Sequence, residues 1–350
     1  MRGCLVRDEI AMHENSRAIL ELRVKKIYFL IRRIMMTIKK IGVLGAGTMG
    51  HGIAEAFAMY GYDVNLYDVN EGALKSGKDL IKEELELLAE ENFIQREAVG
   101  AILDRIKLFT DLRETVADRD YVIESAPENM ELKQQLFKQL DELCPSETIL
   151  ASNTSSLPLN GMMALVSESR KQRMIVNHMF NPAHLIPIVE LSFFGNMPES
   201  VYQEVESLYL SIQKQPVKIL KDVPGLVANR IMQGVAREVF SLMEQGVAEP
   251  ADIDKALKFG PAFRYATTGQ FEVTDFGGLD IWCIVGDNLL KAMDNSQSAN
   301  NLLRQKVKEG KLGVKSGEGF YKYSPEEVPE IRKNFMKKLI NQLKASEYYS

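Results

Sequence analysis

The stretch GVLGAGTMGHGIA, residues 42–54, carries the glycine pattern G-x-G-x-x-G at Gly45, Gly47 and Gly50. The apolar residues Ile41–Leu44 predict a short buried strand before the turn, and the spacing of apolar residues in His51–Tyr60 predicts a helix after it. In such a unit the first glycine allows the tight turn, the second lets the backbone approach a pyrophosphate, and the third permits close packing of the helix on the strand. The stretch therefore predicts a dinucleotide-binding unit, and a strand–turn–helix without a ligand is the alternative.

The residues around this turn favour NAD over NADP. Asp68 ends the next predicted strand, DVNLYD, where its carboxylate could accept hydrogen bonds from both ribose hydroxyls of NAD and would repel a 2′-phosphate. No Arg or Lys follows until Lys75. The start of the helix offers free N–H groups and partial positive charge to the phosphates, so Thr48 and Met49 are expected cofactor contacts beside the three glycines.

Strands alternate with helices up to about Lys221, which predicts an α/β Rossmann-type doubly wound sheet. Beyond it, the pattern is almost entirely helical and predicts an all-α C-terminal domain. The expected organisation has four segments: an N-terminal extension outside the fold (1–36), an NAD-binding domain (37–221), a helical domain (222–324) and a helical tail (325–350). The extension ends in the basic, apolar stretch VKKIYFLIRRIMM, for which a surface-binding amphipathic segment is the alternative.

Composition excludes several function classes. The net charge of −5 argues against a nucleic-acid partner, and no uninterrupted apolar segment approaches the roughly 20 residues that span a bilayer. The cysteines, Cys4, Cys144 and Cys283, are scattered, which fits a reducing, cytoplasmic location. No cluster of His, Cys, Asp and Glu has metal-ligand spacing, so no metal site is expected.

A second chemical signal is the stretch NHMFNPAHLIPIVEL, residues 177–191, in which Glu190 interrupts an apolar run. A buried carboxylate needs a partner. Two prolines prevent a helix here, but two antiparallel strands would bring His178 to Glu190. A carboxylate fixes the tautomer of a neighbouring imidazole, which suits a general base that takes a proton from an alcohol while hydride leaves its carbon. A purely structural His–Glu pair is the alternative.

Several separated motifs together resemble the L-3-hydroxyacyl-CoA dehydrogenase family. The resemblance covers residues 39–323, and the motifs that carry it are GVLGAGTMGHGIA, VIESAPENMELKQQLF, ASNTSSLP, NHMFNPAHLIPIVEL, KDVPGLVANRI, DFGGLD and KLGVKSGEGFYKY. It implies NAD-dependent interconversion of L-3-hydroxyacyl-CoA and 3-oxoacyl-CoA, an oxidoreductase activity of fatty acid metabolism. It also implies a homodimer formed through the helical domain, where apolar residues recur at Val235, Val239, Leu242, Phe271, Phe276, Leu279 and Ile281.

The resemblance also implies roles for individual residues. His178 would be the general acid/base and Glu190 its orienting carboxylate, while Ser155 and Asn229 would hydrogen-bond the substrate. The cofactor contacts would include Asn153, together with Glu128, Lys133, Asn181 and Lys315. The alternatives are surface charges for Glu128, Lys133 and Lys315, a turn residue for Asn181, and a polar helix position for Asn229.

Two features depart from the acyl-CoA pattern. The segment KEELELLAEEN is acidic where basic or small polar residues would favour the CoA nucleotide; its glutamates are Glu83, Glu84, Glu86, Glu90 and Glu91. In addition, Arg264 is placed as in relatives that use small free acids, such as L-gulonate and carnitine dehydrogenases, and an arginine can clamp a free carboxylate. Its alternative is a surface salt bridge at a helix end. A small free 3-hydroxy acid and a non-catalytic cofactor-binding role therefore remain open beside the acyl-CoA substrate.

Overall fold

The computed structural model describes residues 37–346, so the predicted extension 1–36 lies outside the described residues. Residues 37–86 and 94–224 form one compact unit, and residues 87–93 and 225–346 form a second. The first unit is built on an eight-stranded sheet in the order β3-β2-β1-β4-β5-β6-β7-β8. The strands are β1 Lys40–Leu44, β2 Asp63–Tyr67, β3 Ile106–Phe109, β4 Tyr121–Glu124, β5 Ile149–Ser152, β6 Met174–Met179, β7 Ile188–Ser192 and β8 Gln215–Ile219.

Neighbouring strands of this sheet are parallel except for the antiparallel pair β6 and β7. The chain winds outward from β1 to β3 on one side and returns through β4 on the other, so the winding reverses between β1 and β4. In open α/β sheets, ligands bind at the carboxyl ends of the strands beside such a reversal. The fold class predicted from sequence is thus observed, and its binding crevice adjoins the glycine turn after β1.

Some first-unit helices begin at a capping side chain, as at Asp111, Asn129 and Ser167. Before the helix Met130–Leu143, the side chain of Asn129 accepts a hydrogen bond from Leu132 N at 2.9 Å, which satisfies one of the free N–H groups at the helix start. The helices are α1 Gly50–Met59, α2 Glu71–Glu90, α3 Ala98–Asp104, α4 Leu112–Val116, α5 Met130–Leu143, α6 Leu159–Met162, α7 Glu168–Lys171 and α8 Glu199–Ser211. A 3₁₀ turn, Met163–Leu165, follows α6.

The second unit is helical, as predicted. Its helices are α9 Ala228–Glu244, α10 Pro250–Phe259, α11 Pro261–Tyr265, α12 Gln270–Gly277, α13 Leu279–Leu289, α14 Asn301–Lys308 and α15 Val328–Ser346. Phe240 on α9 stacks on Phe320 with ring centroids 5.6 Å apart, and the Tyr321 hydroxyl donates to Asp254 on α10 at 2.7 Å. These contacts tie the segment GFYKY to the first helices of the unit, and Lys322 within it forms an isolated β-bridge with Glu318.

Within residues 37–346, no helix combines the length and apolar composition needed to cross a bilayer.

Candidate active site

The glycine turn has one open position between two closely packed ones. Gly45 adopts a φ of +99°, and an added Cβ would lie 2.8 Å from the Ser125 carbonyl oxygen. A Cβ on Gly50 would lie 1.6 Å from the carbonyl oxygen of Gly45, so the close approach of α1 to the turn requires this glycine. A Cβ on Gly47 would meet no protein atom within 4 Å. The open position faces space in which a pyrophosphate can reach the backbone.

Asp68 is held beside this turn. Its Oδ2 accepts a hydrogen bond from Ala46 N at 2.9 Å, and its Oδ1 accepts one from Asn70 N at 3.0 Å. The carboxylate is half-buried, and each oxygen keeps a lone pair for a further donor such as a ribose hydroxyl. Thr48 is exposed and Met49 is half-buried at the start of α1, so both border the open position.

A buried ion pair lies at the carboxyl end of β4. The Lys133 ammonium donates to both oxygens of Glu124, at 2.6 and 2.8 Å, and lies 3.4 Å from Oε2 of Glu128. The side chains of Glu124 and Lys133 are 0% and 1% exposed. The alternative that Lys133 is a surface charge is therefore wrong. The two carboxylates occupy all three N–H donors of the Lys133 ammonium. Lys133 therefore holds Glu128 in place and has no donor left for a ligand in the crevice.

Glu128 faces the turn that follows β5. Its Oε1 accepts hydrogen bonds from the hydroxyls of Thr154 and Ser156, the latter at 2.7 Å. Burial raises the pKa of this carboxyl, but these two hydroxyls and the Lys133 charge outweigh burial and leave its pKa below the ordinary value. Glu128 is therefore a fixed anion at the edge of the crevice, as a residue that accepts from ribose hydroxyls would need to be.

His178 and Glu190 meet across β6 and β7. The two residues are direct partners in the antiparallel register, and Nδ1 of His178 lies 2.7 Å from Oε2 of Glu190. Both side chains are buried, and the imidazole packs against the Phe180 ring at 4.7 Å between centroids. Since a carboxylate accepts, Nδ1 carries the proton, and Nε2 is the basic nitrogen of the neutral ring.

The turn after β5 is fixed to the end of β6. The Asn153 side chain accepts a hydrogen bond from Met179 N at 2.9 Å, next to His178. Ser155, two residues further on, is half-buried. Asn181 is exposed after β6. The structure therefore gathers Asn153, Ser155, Glu128 and His178 around the carboxyl ends of β4, β5 and β6.

Comparison with known proteins identifies this arrangement. Residues 40–223 match the family model for the 3-hydroxyacyl-CoA dehydrogenase NAD-binding domain, and residues 225–323 match the model for the C-terminal domain of the same enzymes. The chain belongs to the 3-hydroxyacyl-CoA dehydrogenase family. It is an NAD-dependent oxidoreductase, and the glycine turn with Asp68 fits that cofactor.

Individual family members differ in the substrates that their names state. The chain is 38% identical over 289 residues to a probable 3-hydroxybutyryl-CoA dehydrogenase of Bacillus subtilis, which covers 82% of this chain and 98% of that protein. It is 32% identical over 308 residues to 5-formyl-3-hydroxy-2-methylpyridine 4-carboxylate 5-dehydrogenase of Mesorhizobium japonicum, which covers 87% of this chain and 96% of that protein. A crystal structure of an enzyme of the latter name, described as an NAD+-dependent dismutase, matches with a TM-score of 0.82 and 30% identity over 90% of this chain and 100% of that one.

The remaining predicted site residues lie in the second unit, which the family model assigns to the C-terminal domain. Asn229 is half-buried in the first turn of α9. Arg264 in α11 and Lys315 in the loop after α14 are exposed, and within residues 37–346 neither forms an ion pair. The surface salt bridge considered for Arg264 is therefore not observed among the described residues.

The acidic segment of α2 does not present one negative face to a CoA nucleotide of the family's substrates. Glu84 turns inward, with Oε2 3.5 Å from Nε2 of His51. Within the second unit, Glu90 and Glu91 pair with Lys333 and Lys337, each at 3.0 Å. Glu83 and Glu86 are the two glutamates of this segment that are exposed without a partner in the second unit, and Glu86 lies 3.9 Å from Lys82. The folded chain therefore pairs or turns inward three of the five glutamates that were expected to repel the CoA phosphates.

One buried cluster in this family member was missed from the sequence. His184 lies in the loop between β6 and β7 and is buried, with its Nδ1 3.3 Å from Oε2 of Glu55 and 3.6 Å from Oε2 of Glu84. The ligand atoms of Glu55, Glu84 and His184 lie within 4.8 Å of one another, a grouping that could hold a metal ion and that the sequence spacing did not indicate. The sequence did contain a signal for this cluster. Glu55 interrupts the apolar helix sequence GIAEAFA, and, as for Glu190, a buried carboxylate needs a partner.

Burial dominates the electrostatics of this cluster. It raises the pKa of Glu55 well above the ordinary value, with the Glu84 charge adding to the effect. Burial also lowers the pKa of His184 to about 4 and that of the neighbouring Lys214 to about 7. Burial lowers the pKa of His51 too, but hydrogen bonds to Glu84 and to the Gly47 carbonyl outweigh it and leave that pKa raised.

Proposed function

We propose that the protein interconverts L-3-hydroxyacyl-CoA and 3-oxoacyl-CoA, with His178 as the general acid/base and Glu190 as its orienting partner. The observation that carries the proposal is the 2.7 Å contact between Nδ1 of His178 and Oε2 of Glu190 at the carboxyl end of β6. The family assignment and the B. subtilis relative, whose name states a 3-hydroxybutyryl-CoA substrate, support the same chemistry.

In the oxidative direction, Nε2 of His178 takes the proton of the substrate hydroxyl as the C3 hydride leaves. NAD supplies the hydride acceptor. Glu190 keeps the proton on Nδ1 and stabilises the imidazolium that forms, so the proton arrives at one defined nitrogen. A positioned general base contributes about 10²–10⁴-fold to the rate. In the reductive direction the same nitrogen returns the proton to the developing alkoxide.

Other residues are proposed to position the reactants. Ser155 lies two residues beyond Asn153, whose side chain is bonded to the strand that carries His178, so its hydroxyl is suited to hydrogen-bond the substrate oxygen. Asn229 is proposed to share that role. The proposed cofactor contacts are Gly45, Gly47, Thr48, Met49, Gly50, Asp68, Glu128, Asn153, Asn181 and Lys315, with Lys133 acting through Glu128.

A second candidate substrate is a small free hydroxy acid. Two observations favour it. The structure named for a pyridine carboxylate substrate matches with a TM-score of 0.82, against 0.65 and 0.66 for two structures named 3-hydroxybutyryl-CoA dehydrogenases. Arg264 is exposed and, in the described part of the chain, without an ion pair, so its guanidinium could clamp a carboxylate.

We further propose a cytoplasmic homodimer. Large apolar side chains are exposed along α12 and α13, with Phe271 and Phe276 both 88% exposed. Apolar surface of this kind marks an interaction site in a folded protein. The two described cysteines, Cys144 and Cys283, form no disulfide, which agrees with a reducing compartment.

The deciding experiment is NADH oxidation with acetoacetyl-CoA and with a panel of free 3-oxo acids, including aromatic ones. Turnover of acetoacetyl-CoA at the higher kcat/KM supports the first proposal. Turnover of free acids alone contradicts it and supports the second. If neither class reacts while NADH still binds, the catalytic proposal fails and a non-catalytic cofactor-binding role takes its place.

A further inference from the structure

Two buried side chains and one half-buried side chain converge beneath the nucleotide-binding helix. Glu55 comes from α1, Glu84 from α2, and His184 from the loop between β6 and β7. Glu55 is fully buried and His184 is 6% exposed. Neither oxygen of Glu55 and neither ring nitrogen of His184 has a hydrogen-bond partner in the described structure, and Oε2 of Glu84 is likewise unbonded. Buried polar atoms are nearly always bonded, so this concentration of unbonded atoms at one point calls for a ligand.

The spacing of these atoms indicates what the ligand is. Nδ1 of His184 lies 3.3 Å from Oε2 of Glu55 and 3.6 Å from Oε2 of Glu84. These separations are longer than the 2.9–3.0 Å typical of N–H···O bonds. Ligands at 2.0–2.1 Å from a tetrahedral ion lie about 3.3–3.4 Å apart. We propose that Glu55, Glu84 and His184 form a buried binding site for a divalent transition metal of the Zn²⁺ type.

His51 lies beside this cluster. Its Nδ1 donates to the Gly47 carbonyl oxygen at 2.7 Å, and its Nε2 lies 3.5 Å from Oε2 of Glu84. The donor set of the site itself is two carboxylates and one imidazole, and the imidazole makes it suit Zn²⁺ better than Mg²⁺ or Ca²⁺.

Charge balance supports a cation at this point. Binding of a divalent ion would allow both carboxylates to ionise, because buried negative charges need compensation. The ammonium of Lys214 donates to the carbonyl oxygens of Ala183 and Ile186, and within the described residues it forms no ion pair with either glutamate. A divalent ion would neutralise both carboxylates without moving Lys214.

The site would connect the cofactor region to the catalytic pair. Glu55 and His51 lie on the helix that starts at the glycine turn, and His184 lies midway between His178 and Glu190 in sequence. Close contact between these parts already exists, because a Cβ on Gly52 would lie 3.4 Å from Ala183 N and 3.6 Å from His184 Nδ1. A metal here would fix the loop between β6 and β7 against α1.

The test is the metal content of the full-length protein expressed with Zn²⁺ supplied, measured by plasma mass spectrometry after desalting. We expect one Zn²⁺ per chain in the wild type. Glu55→Gln and His184→Gln remove a ligand with little change in volume, and each should lose the metal. Glu86→Gln, on the exposed face of the same helix as Glu84, is the matched control and should retain it.

A second measurement does not depend on the variants folding. Wild-type protein expressed with Co²⁺ in place of Zn²⁺ should show the intense visible bands of tetrahedral cobalt, which added Zn²⁺ abolishes on exchange. Sub-stoichiometric metal in the wild type under both conditions overturns the proposal. Equal retention by Glu55→Gln, His184→Gln and Glu86→Gln also overturns it, because the metal would then be bound elsewhere. Retention of Mn²⁺ in preference to Zn²⁺ would contradict the assigned metal type.

Discussion

His178 and Glu190 are opposite one another in the antiparallel register of β6 and β7, and their side chains project to the same face. Successive side chains of a strand alternate between faces, so a slip of one residue would send the two to opposite sides of the sheet. Parallel pairing with β8, where Glu190 faces Val217, fixes β7 from its other edge. The proposed acid/base pair is therefore a consequence of strand register.

Replacing His178 with Ala should lower turnover by about 10²–10⁴-fold while leaving NAD affinity unchanged, because only the proton acceptor is removed. The measurements are the steady-state rate of NADH oxidation and NADH binding by fluorescence. Turnover that survives nearly intact would show that another group handles the proton.

Replacing Glu190 with Gln is the companion change. Glutamine can still accept from Nδ1–H but carries no charge, so the tautomer is kept and stabilisation of the imidazolium is lost. We expect a smaller fall in kcat than for His178→Ala, and no additional loss in the double variant, because residues that act as a unit are not additive. Fully additive losses would separate the two residues functionally.

The glycine turn allows a test that separates folding from cofactor binding. Gly47→Ala adds a methyl group where no protein atom lies within 4 Å, so stability should change by less than about 0.5 kcal/mol while the Kd for NAD rises. Gly50→Ala forces a Cβ to within 1.6 Å of the Gly45 carbonyl oxygen, so both stability and NAD binding should be lost. The measurements are urea unfolding and a binding titration.

Gly100 supplies the control for these changes. It lies in α3, and an added Cβ there would also meet nothing within 4 Å. Gly100→Ala should leave NAD binding intact and raise stability by about 0.5–1 kcal/mol, because alanine is favoured in a helix interior. Weaker NAD binding in this variant would mean that the Gly47 effect is not local.

The central strands of the sheet were predicted from the sequence, whereas the two edge strands were not. β4, β5 and β6 are buried along their whole length, and their apolar runs identify them as strands in the sequence. β3 and β8 are the edge strands, and neither was predicted. IKLF and QPVKI each include a lysine, and Pro216 within β8 argues against a strand except at an edge. Half-exposed edge strands do not need the apolar pattern that identifies a central one.

Side chains that depend on tertiary contacts were predicted less well than the backbone. The contact between His178 and Glu190 could be anticipated because one turn joins their strands. Glu55, Glu84 and His184 come from three separate elements, and no sequence spacing relates them. Glu124 was likewise missed, because it ends a strand and its partner Lys133 was expected to contact the cofactor.

The ion pair between Lys133 and Glu124 should be important for stability. Lys133→Met leaves the Glu124 carboxylate buried with hydrogen bonds only from Ser152 and Ala126 N among the described contacts, and an uncompensated buried charge costs about 3–5 kcal/mol. Lys138→Met on the exposed side of the same helix should cost almost nothing. Equilibrium urea unfolding measures both, and equal effects would contradict the role assigned to Lys133.

The proposed dimer should depend on the apolar surface of α12 and α13. The wild type should elute with the light-scattering mass of two 39.5 kDa chains. Phe276→Glu places a charge at the 88% exposed position of α12 and should give monomers that retain their helical circular dichroism. Leu165→Glu, at a 43% exposed position of the first unit, is the control and should remain dimeric. A wild-type protein with the mass of a single chain would contradict the dimer proposal.

Arg264 separates the two candidate substrate classes. If a free carboxylate is bound there, Arg264→Ala removes a charge-assisted bidentate contact worth about 1.5–3 kcal/mol, so kcat/KM for a free 3-oxo acid should fall about 10–100-fold. Arg264→Lys keeps the charge but loses the planar fork, and it should recover only part of that loss. Turnover of acetoacetyl-CoA, which has no carboxylate at that position, should be unaffected by either change. An equal fall with both substrates would mean that Arg264 acts on the fold of α11 instead of on the ligand, and the free-acid candidate would then rest on structural similarity alone.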